Sequence, residues 1–418
     1  MYLSQDPSLW GRTFDRKSSV ALGLSFRPAA SAFSKLLRRP RAELISAATE
    51  SWQIAPGNEV TVLPAICLPG QLDRIRGSEF GFVEEVLRDF KGGFASMQGA
   101  TMGYRLKNVL LSDGTLYAEG AVRPLRRRAT WTPAARPARE FETASIYESW
   151  MGNRWFGLWL ANDCPTYRLA EETGHPFTIG QRTGHKADYE DRLGMVPERG
   201  SSAWFRELHV FDDASNNRHK RRRADAIRDR LARDAMPDHP GVFLLRGNTG
   251  DPRVLRNEWQ IAERLERTRG FQIIDPSYAS VDEIAHLCAN ARVVAGVEGS
   301  HLNHGFAVMP PKSCALAIFP PTRAVSVMKM LTDRQEQDFA VVIGEGYDEA
   351  FTADIDDIER THDLVKSGSR QPPHKDGLRV IREAVSARLS VPRRCLGGFA
   401  DETAPGGSAA AETTAECG

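Results

Sequence analysis

The second half of the sequence predicts an α/β fold, with a parallel sheet that helices cover on both faces. Short runs of β-branched, aromatic and other apolar residues recur at 242–245, 271–274, 292–297 and 315–319. Between these runs, apolar residues recur at intervals of three and four, which is typical of helices. Strands that alternate with helices in this way form parallel sheets, because each helix returns the chain to the same edge.

Capping signals place the helices of this unit. They are predicted at 257–269, 281–288 and 301–309. Gly270 follows the first helix as a candidate C-cap, and Ser280 precedes the second, where it can act as an N-cap. Pro310 and Pro311 end the third helix. One more strand is predicted at 339–343, and two more helices at 353–366 and 378–389.

Polar residues follow the predicted strands. Arg246 comes after the first strand, and Glu298, Gly299 and Ser300 come after the third. Ligands of parallel sheets bind at this edge, where helix N-termini offer unpaired amides and a partial positive charge. Gly299 lets the backbone approach a ligand closely, while Ser300 and Asn303 can cap the next helix or bind a phosphate. The pattern favours an anion such as a diphosphate, and a purely structural turn is the alternative.

Size and composition indicate a soluble globular protein of about two domains. The chain has 418 residues, of which 41% are hydrophobic and 26% are charged. Its net charge of +1 provides no general attraction to nucleic acid or to an anionic membrane. Six dispersed cysteines favour reduced thiols over disulfides or a zinc site. We find no signal-peptide pattern and no stretch long enough to span a membrane, so we expect a cytoplasmic protein.

The first half of the chain is less regular. Residues 1–95 are weakly patterned, with a strand predicted at 63–68 and a helix at 82–90. Asp113 and Gly114 can adopt the positive φ angles of a tight turn, which predicts a hairpin over 108–120. A loop over 123–139 and a strand at 205–211 are also predicted. Aromatic residues crowd 145–169, which indicates one helix with a core-facing stripe.

Three charged runs each allow two interpretations. The run KLLRRPR at 35–41 can contact anionic lipid or a polyanionic acceptor, but we expect a solvated surface. Asp212 and Asp213 are similar to a metal-binding Asp-x-Asp, although the following Ser and Asn residues favour a helix start. The run RHKRRR at 218–223 opens a connector helix whose charges we expect to be solvated. RNA binding there would lack aromatic platforms.

Spaced residues in both halves resemble one known family. In the second half they are Arg246, Arg253, Asn257, Glu258, Gly270, Phe271, Ala291 and the segment GVEGSHLNHG at 296–305. In the first half they are Asn153, Gly157, Trp159, Asp163 and Pro165, with Leu158 where the family often has His. Over about residues 100–345 the chain resembles glycosyltransferase family 61. Many members have His at the position of Glu298, and the acidic residue resembles a bacterial capsular or exopolysaccharide branch.

This resemblance implies a GT-B fold, in which two Rossmann-like α/β domains face a cleft. The expected parts are a weakly patterned region (1–95), an acceptor-side domain with a connector helix (96–235), a nucleotide-sugar-binding domain (236–350), C-terminal helices (351–391) and a disordered tail (392–418). It also implies transfer of a sugar from a nucleotide-sugar donor to a saccharide acceptor in capsular or exopolysaccharide assembly. We expect no cofactor, no metal and no nucleic-acid partner, and the basic run at 35–41 allows peripheral contact with a membrane.

The implied site residues fall into two groups. Donor-binding candidates are Arg246, Arg253, Asn257, Glu258, Gly299, Ser300 and Asn303. Arg253 can supplement the diphosphate site or simply pair with Glu258. Candidates for the base that deprotonates the acceptor hydroxyl are Glu298, Asp163 and His301, and His301 can equally donate to a phosphate. Because Leu158 replaces the expected His, a non-catalytic module that binds a nucleotide or polyanion is the alternative function.

Overall fold

The computed structural model describes residues 23–38, 42–128, 132–232, 235, 238–247, 250–251 and 253–367. The strands are β1 (Ala42–Glu43), β2 (Glu50–Ala55), β3 (Asn58–Val62), β4 (Phe94–Gln98), β5 (Thr101–Ser112), β6 (Thr115–Tyr117), β7 (Ala121–Pro124), β8 (Glu140–Ile146), β9 (Pro176–Thr178), β10 (Glu198–Arg199), β11 (Ser202–Asp212), β12 (His239–Leu244), β13 (Phe271–Ile274), β14 (Ala291–Val297), β15 (Cys314–Phe319), β16 (Asp338–Ile343), β17 (Glu345–Tyr347) and β18 (Ala350–Thr352). The helices are α1 (Arg27–Leu36), α2 (Val83–Lys91), α3 (Trp150–Arg154), α4 (Phe156–Leu158), α5 (Cys164–Thr173), α6 (Gly184–Leu193), α7 (Arg218–Leu231), α8 (Glu258–Arg269), α9 (Val281–Ala289), α10 (Asn303–Val308), α11 (Val327–Arg334) and α12 (Ile355–Ser367). The predicted α/β class is confirmed.

The second half contains a five-stranded parallel sheet in the order β13-β12-β14-β15-β16. Its predicted strands are confirmed, as are α8 with Gly270 at its C-cap (φ 70°) and α9 with Ser280 as its N-cap. Alternate residues of β12 face two different hydrophobic clusters, so both faces of the sheet are covered. The strand order reverses between β12 and β14, and the carboxyl ends of strands at such a reversal border a ligand-binding crevice.

The first half contains a mixed sheet in the order β1-β7-β6-β5-β11-β8-β9-β10, and β2 also pairs with β5. The predicted hairpin joins β5 and β6, with φ angles of 42° at Asp113 and 70° at Gly114. This sheet differs from the parallel sheet of a Rossmann-like domain. The reason is that its two longest strands, β5 and β11, run antiparallel along most of their length.

The N-terminal region, to which the sequence assigns no role, contacts both sheets. The strand predicted at 63–68 is wrong: only Ile66 pairs, as an isolated bridge to Ala340 at the edge of β16. Its backbone N–H donates to Phe339 at 2.8 Å, and its carbonyl accepts from Val341 at 2.9 Å. The predicted helix at 82–90 is confirmed as α2. Because β2 belongs to the first sheet, this region bridges the two halves of the chain.

The aromatic segment does not form the single predicted helix. Trp155 has an extended backbone (φ −123°, ψ 121°) that separates α3 from α4. A π-helical turn over Trp159–Asp163 then joins α4 to α5. Such widened turns are frequent at functional sites, because they change the direction in which nearby side chains point. The break at Trp155 turns one indole toward the second half of the chain, where Nε1 lies 3.5 Å from Oδ2 of Asp251.

The connector helix is confirmed as α7, with Asn217 as its N-cap. The expectation that its basic run is solvated is wrong for Lys220 and Arg223, which are 1% and 8% exposed. Both surround Asp213, whose carboxylate accepts two hydrogen bonds from Arg223 at 2.8 Å. Asp212 is therefore exposed, whereas Asp213 is buried and has a structural role.

Several expectations concern other parts of the chain. The helix at 378–389 and the tail at 392–418 lie outside the described residues. The helix predicted at 353–366 is confirmed as α12. Cys67, Cys164, Cys288 and Cys314 are buried. None of the helices in the described part of the chain combines the length and apolar character needed to cross a membrane.

Candidate functional site

A cavity lies at the carboxyl ends of β14 and β15, where segments from both halves of the chain meet. Its lining residues are Glu79, Phe80, Trp155, Leu158, Arg253, Glu298, Ser300, Asn303, Arg323, Val325, Val327, Met328 and Leu331. Charged and polar groups come mainly from the turns that follow the strands. The cavity therefore has the position that the topology predicts for a ligand site.

Three arginines cluster at this sheet edge, and the sequence predicts two of them, Arg246 and Arg253. Arg253 and Arg323 line the cavity, whereas Arg246 lies outside its lining. Arg246 follows β12, Arg253 lies in the same loop, and Arg323 follows β15. Their guanidinium groups are close enough to repel one another. Burial lowers the pKa of Arg246, and the charge of Arg323 lowers it further. Burial, followed by the charges of Arg246 and Arg323, lowers the pKa of Arg253 to about 9.

Glu258 positions the loop that carries two of these arginines. Its Oε1 accepts from the backbone N–H of Arg246 at 2.8 Å, and its Oε2 accepts from that of Gly247 at 2.9 Å. The Arg246 side chain continues past this contact and donates from Nη2 to the carbonyl of Asp251 at 2.5 Å. Both carboxylate oxygens of Glu258 thus bind backbone N–H groups, and this contact holds the loop that carries Arg246 and Arg253.

Arg253 forms an ion pair with Glu298. The alternative pairing with Glu258 is wrong: the carboxylate that Arg253 contacts is that of Glu298, while Glu258 accepts from the backbone N–H groups of Arg246 and Gly247. Arg253 and Glu298 are 7% and 5% exposed. The two side chains line the same cavity, so a ligand that entered would meet the pair together.

Arg323 and Glu79 are site residues that the sequence analysis missed. Nη2 of Arg323 lies 3.0 Å from Oε1 of Glu79 and 3.5 Å from Oδ2 of Asp251. Arg323 follows the predicted strand at 315–319, so its position at the same sheet edge was a usable signal. Glu79 gave no such signal, because it comes from the weakly patterned region more than 200 residues away in the chain.

Gly299 is required here for a different reason from the one predicted. Its φ of 164° is extended backbone, which any residue can adopt. A β-carbon added at this position would overlap Nη1 of Arg246. The missing side chain therefore makes room for the guanidinium group of Arg246, and both residues lie behind the cavity lining.

The turn after Gly299 also differs from a regular helix start. Ser300–Leu302 is a 3₁₀ turn, and α10 has only six residues. Neither Ser300 nor Asn303 caps it, but both line the cavity. So short a helix contributes little dipole, and the arginines are the main source of positive charge in the site.

Two residues of the first-half motif reach the same cavity wall. A β-carbon at Gly157 would overlap Nδ2 of Asn303, so the two segments are in close contact there. Leu158 and Trp155 line the cavity beside them. The position at which the family often has His therefore does face the candidate site, with an apolar side chain.

Two of the three candidate bases lie outside the cavity lining. Asp163 is 2% exposed, and it accepts hydrogen bonds from the backbone and the hydroxyl of Ser149 at 3.2 and 2.8 Å. Burial raises its pKa to about 8. Burial, with the charges of Arg246, His304 and Arg253, holds the pKa of His301 well below its usual value. Burial thus favours the neutral form of both side chains.

Asn257, the remaining donor-binding candidate, has a structural contact. Its Nδ2 donates to the carbonyl of Ala353 at 2.8 Å, and its Oδ1 accepts from the Ala353 N–H at 3.2 Å. It joins the start of α8 to the segment before α12. The residue lies outside the cavity lining, so its contact with a donor stays a prediction.

Comparison with known proteins finds one family that the middle of the chain resembles. The model of the family described as Glycosyltransferase 61 matches residues 117–316, from β6 into β15. No curated protein matches the chain. The matched span includes Arg246, Arg253 and Glu298, whereas Glu79 and Arg323 lie outside it. This part of the chain is therefore similar to glycosyltransferase family 61.

Proposed function

We propose that this protein transfers a sugar from a nucleoside-diphosphate sugar to a saccharide, with Arg246, Arg253 and Arg323 binding the diphosphate. The observation that carries the proposal is the convergence of these three guanidinium groups at one sheet edge. Guanidinium groups bind phosphate oxygens through paired hydrogen bonds. Fixed positive charge also stabilises the nucleoside diphosphate as it departs, because negative charge develops on it in the transition state.

The electrostatics of the free site favour an incoming anion. Arg246 and Arg253 are buried and Arg323 is half-buried; burial and repulsion from the neighbouring guanidinium groups lower the pKa values of Arg246 and Arg253. Glu298, Asp251 and Glu79 offset part of this charge. A diphosphate would relieve the repulsion among the arginines. Its binding free energy should therefore be more favourable here than at isolated surface arginines. This charge set serves in place of a divalent metal, and we expect transfer to be metal-independent.

Glu298 is our candidate for the base that deprotonates the acceptor hydroxyl. It is the one of the three predicted bases that lines the cavity. Its carboxylate is held by Arg253, and a diphosphate that recruits Arg253 would release it toward the acceptor. Glu79 is the other carboxylate on the cavity wall, and we expect it to position Arg323.

The roles of the two halves of the chain and the biological setting follow from the proposed sugar transfer. We propose that the second half binds the nucleotide sugar, as in a GT-B fold, and that the first half faces the acceptor, although its mixed sheet departs from the Rossmann-like domain of that fold. The setting that fits is capsular or exopolysaccharide assembly from activated sugars in the cytoplasm. No cofactor beyond the donor substrate enters this scheme.

Replacing Arg323 by alanine tests the diphosphate site. A charge-assisted hydrogen bond contributes about 1.5–3 kcal/mol, so Arg323→Ala and Arg246→Ala should each weaken nucleoside diphosphate binding by roughly ten- to hundredfold. Isothermal titration calorimetry with uridine, guanosine and cytidine diphosphates measures this, with and without a chelator. Arg292→Ala, at the exposed opposite end of β14, is the control. Unchanged affinity in both site variants would show that these arginines do not bind the diphosphate. Binding that requires a metal would refute the expected metal independence.

Replacing Glu298 by glutamine tests the base. Glutamine keeps the shape and can still accept a hydrogen bond from Arg253, but it cannot take a proton. We expect turnover to fall by about a hundredfold or more, while donor affinity stays within a few fold. Asp163→Asn is the comparison variant. Normal turnover in Glu298→Gln together with loss in Asp163→Asn would move the base to the first half of the chain.

A second candidate function is a nucleotide- or polyanion-binding module without catalysis. It is favoured by Leu158, which places an apolar side chain on the cavity wall where the family pattern often has His. Such a module would bind a nucleotide sugar and release no nucleoside diphosphate when an acceptor is added. Measuring nucleoside diphosphate release with a panel of saccharide acceptors separates the two functions.

A further inference from the structure

Helix α1 and its flanking residues present large apolar side chains to solvent. Phe26, Phe33 and Leu36 are 62%, 61% and 77% exposed, and Leu24 and Leu37 are 53% and 48% exposed. Phe26, Phe33 and Leu37 recur at intervals of seven and four, and Leu36 lies three residues after Phe33. This spacing places them along one side of a helix. A helix of a globular protein normally packs such a side against the core, and here it faces outward.

The opposite side of α1 is attached to the first sheet, which sets this orientation. Nη1 of Arg27 donates to the carbonyl of Tyr117 at 3.0 Å, and the guanidinium group lies 4.8 Å from the centre of the Trp204 ring. The backbone N–H groups of Ser25 and Ala29 donate to the carbonyls of Ala135 and Pro133 at 2.8 and 3.0 Å. The polar contacts of the helix are thus made inward, and its phenylalanines are left outside.

Positive charge is concentrated in the same segment. Residues 16–42 contain seven basic residues (Arg16, Lys17, Arg27, Lys35, Arg38, Arg39 and Arg41) and no Asp or Glu. The whole chain has a net charge of only +1, so this is a local excess. Within the described part of the segment, Arg38 is exposed directly after α1. The partner of this surface should therefore be both apolar and negatively charged.

We propose that α1 is a docking helix for the surface of an anionic lipid bilayer. A short amphipathic helix can lie in the plane of the interface, with its apolar side chains between the headgroups and the acyl chains. Nearby Lys and Arg residues are attracted by the negative headgroups, and this attraction fades within a Debye length. Phe26, Phe33, Leu36 and Leu37 would supply the apolar contact. The basic residues of the segment other than the inward-facing Arg27 would supply the attraction.

Charge also argues against a second copy of the chain as the partner. Two copies paired through α1 would bring together two segments that each have an excess of basic residues and contain no Asp or Glu. A free polyanion would match the charge but would leave the phenylalanines in water. The lipid surface satisfies both features, and it accounts for the basic run at 35–41 more fully than solvation does. The proposal is independent of the diphosphate site.

Vesicle flotation with the full chain tests this assignment. Vesicles of phosphatidylcholine with 30% phosphatidylglycerol should carry the protein at about 0.1 M salt, and vesicles of phosphatidylcholine alone should carry roughly tenfold less. Raising the salt to about 1 M should release most of the bound protein. The variant Phe33→Asp with Leu36→Asp should bind the anionic vesicles roughly tenfold less well. Tyr278→Asp, at a side chain that is 91% exposed on another segment, should bind normally.

Several results would overturn the proposal. They are absence of binding to anionic vesicles, equal binding to both vesicle types, and equal loss in the Tyr278→Asp control. Light scattering without lipid supplies a further check: a dimer that Phe33→Asp dissociates would assign the surface to a second copy instead. Thermal unfolding midpoints of the variants show whether they are folded, and Phe33→Ser with Leu36→Ser repeats the test if the aspartate variant is not.

Discussion

Replacing Asp213 by alanine should lower the free energy of unfolding by about 3–5 kcal/mol, the range expected when a buried ion pair loses one partner. Oδ1 accepts from Thr101 at 2.9 Å and from Arg223 at 2.8 Å, while Oδ2 accepts from Thr166 at 2.7 Å and from Arg223 at 2.8 Å. Lys220 Nζ lies 4.0 Å from the same carboxylate. Without Asp213, two buried cations would lose their nearest counter-charge.

Urea unfolding at pH 7 measures this loss, with Asp212→Ala as the control because the neighbouring side chain is exposed. A loss below about 1 kcal/mol in Asp213→Ala would contradict the prediction, since surface changes usually stay within ±0.5 kcal/mol.

The pH dependence supplies an independent test of Asp213. Burial raises its pKa, but the hydrogen bonds from Arg223 and the charges of Lys220 and Arg223 outweigh burial and lower it below the usual value. A lowered pKa means that the folded protein holds the carboxylate charged more readily than the unfolded chain does. The stabilisation is therefore complete above the unfolded pKa of about 3.9 and is lost as the pH falls toward the folded pKa. The stability gap between the native protein and Asp213→Ala should narrow below about pH 4.

Replacing Gly299 by valine should weaken nucleoside diphosphate binding by about a hundredfold while the protein stays folded. The new β-carbon would overlap Nη1 of Arg246. The overlapped atom is the far end of a flexible side chain, so the guanidinium group moves and the fold is preserved. Displacing it removes one charged contact of about 1.5–3 kcal/mol and also places a branched side chain at the site. Calorimetric titration and the thermal unfolding midpoint measure the two parts of the prediction.

The double variant shows whether Gly299 acts through Arg246. If it does, Gly299→Val with Arg246→Ala should bind about as weakly as Gly299→Val alone, because the displaced group is already gone. If the losses in binding free energy of the two single variants add in full, the two residues act separately. Normal binding by Gly299→Val would place the phosphate elsewhere and leave the turn a structural one.

The sequence by itself determined the elements of the second half and the edge at which the site lies. The strands at 271–274 and 292–297 and the caps at Gly270 and Ser280 were predictable because residue spacing and capping are local properties. The hairpin at Asp113–Gly114 was predictable for the same reason. Strand alternation then placed Arg246, Arg253 and Glu298 at one sheet edge. The local pattern predicts one helix over the aromatic run, and this prediction is wrong because the helix breaks at Trp155.

Only the tertiary structure decided which charged groups meet and which are buried. Glu79 reaches Arg323, and Arg253 pairs with Glu298 instead of Glu258, across separations that no local pattern specifies. The same holds for Lys220, whose basic neighbours suggest a solvated run although its side chain is 1% exposed. The physical reason is that a charge is tolerated in the interior wherever distant segments supply a partner. The packing of the two sheets and the N-terminal region decides whether a buried charge finds such a partner. The residues next to that charge in the chain do not decide it.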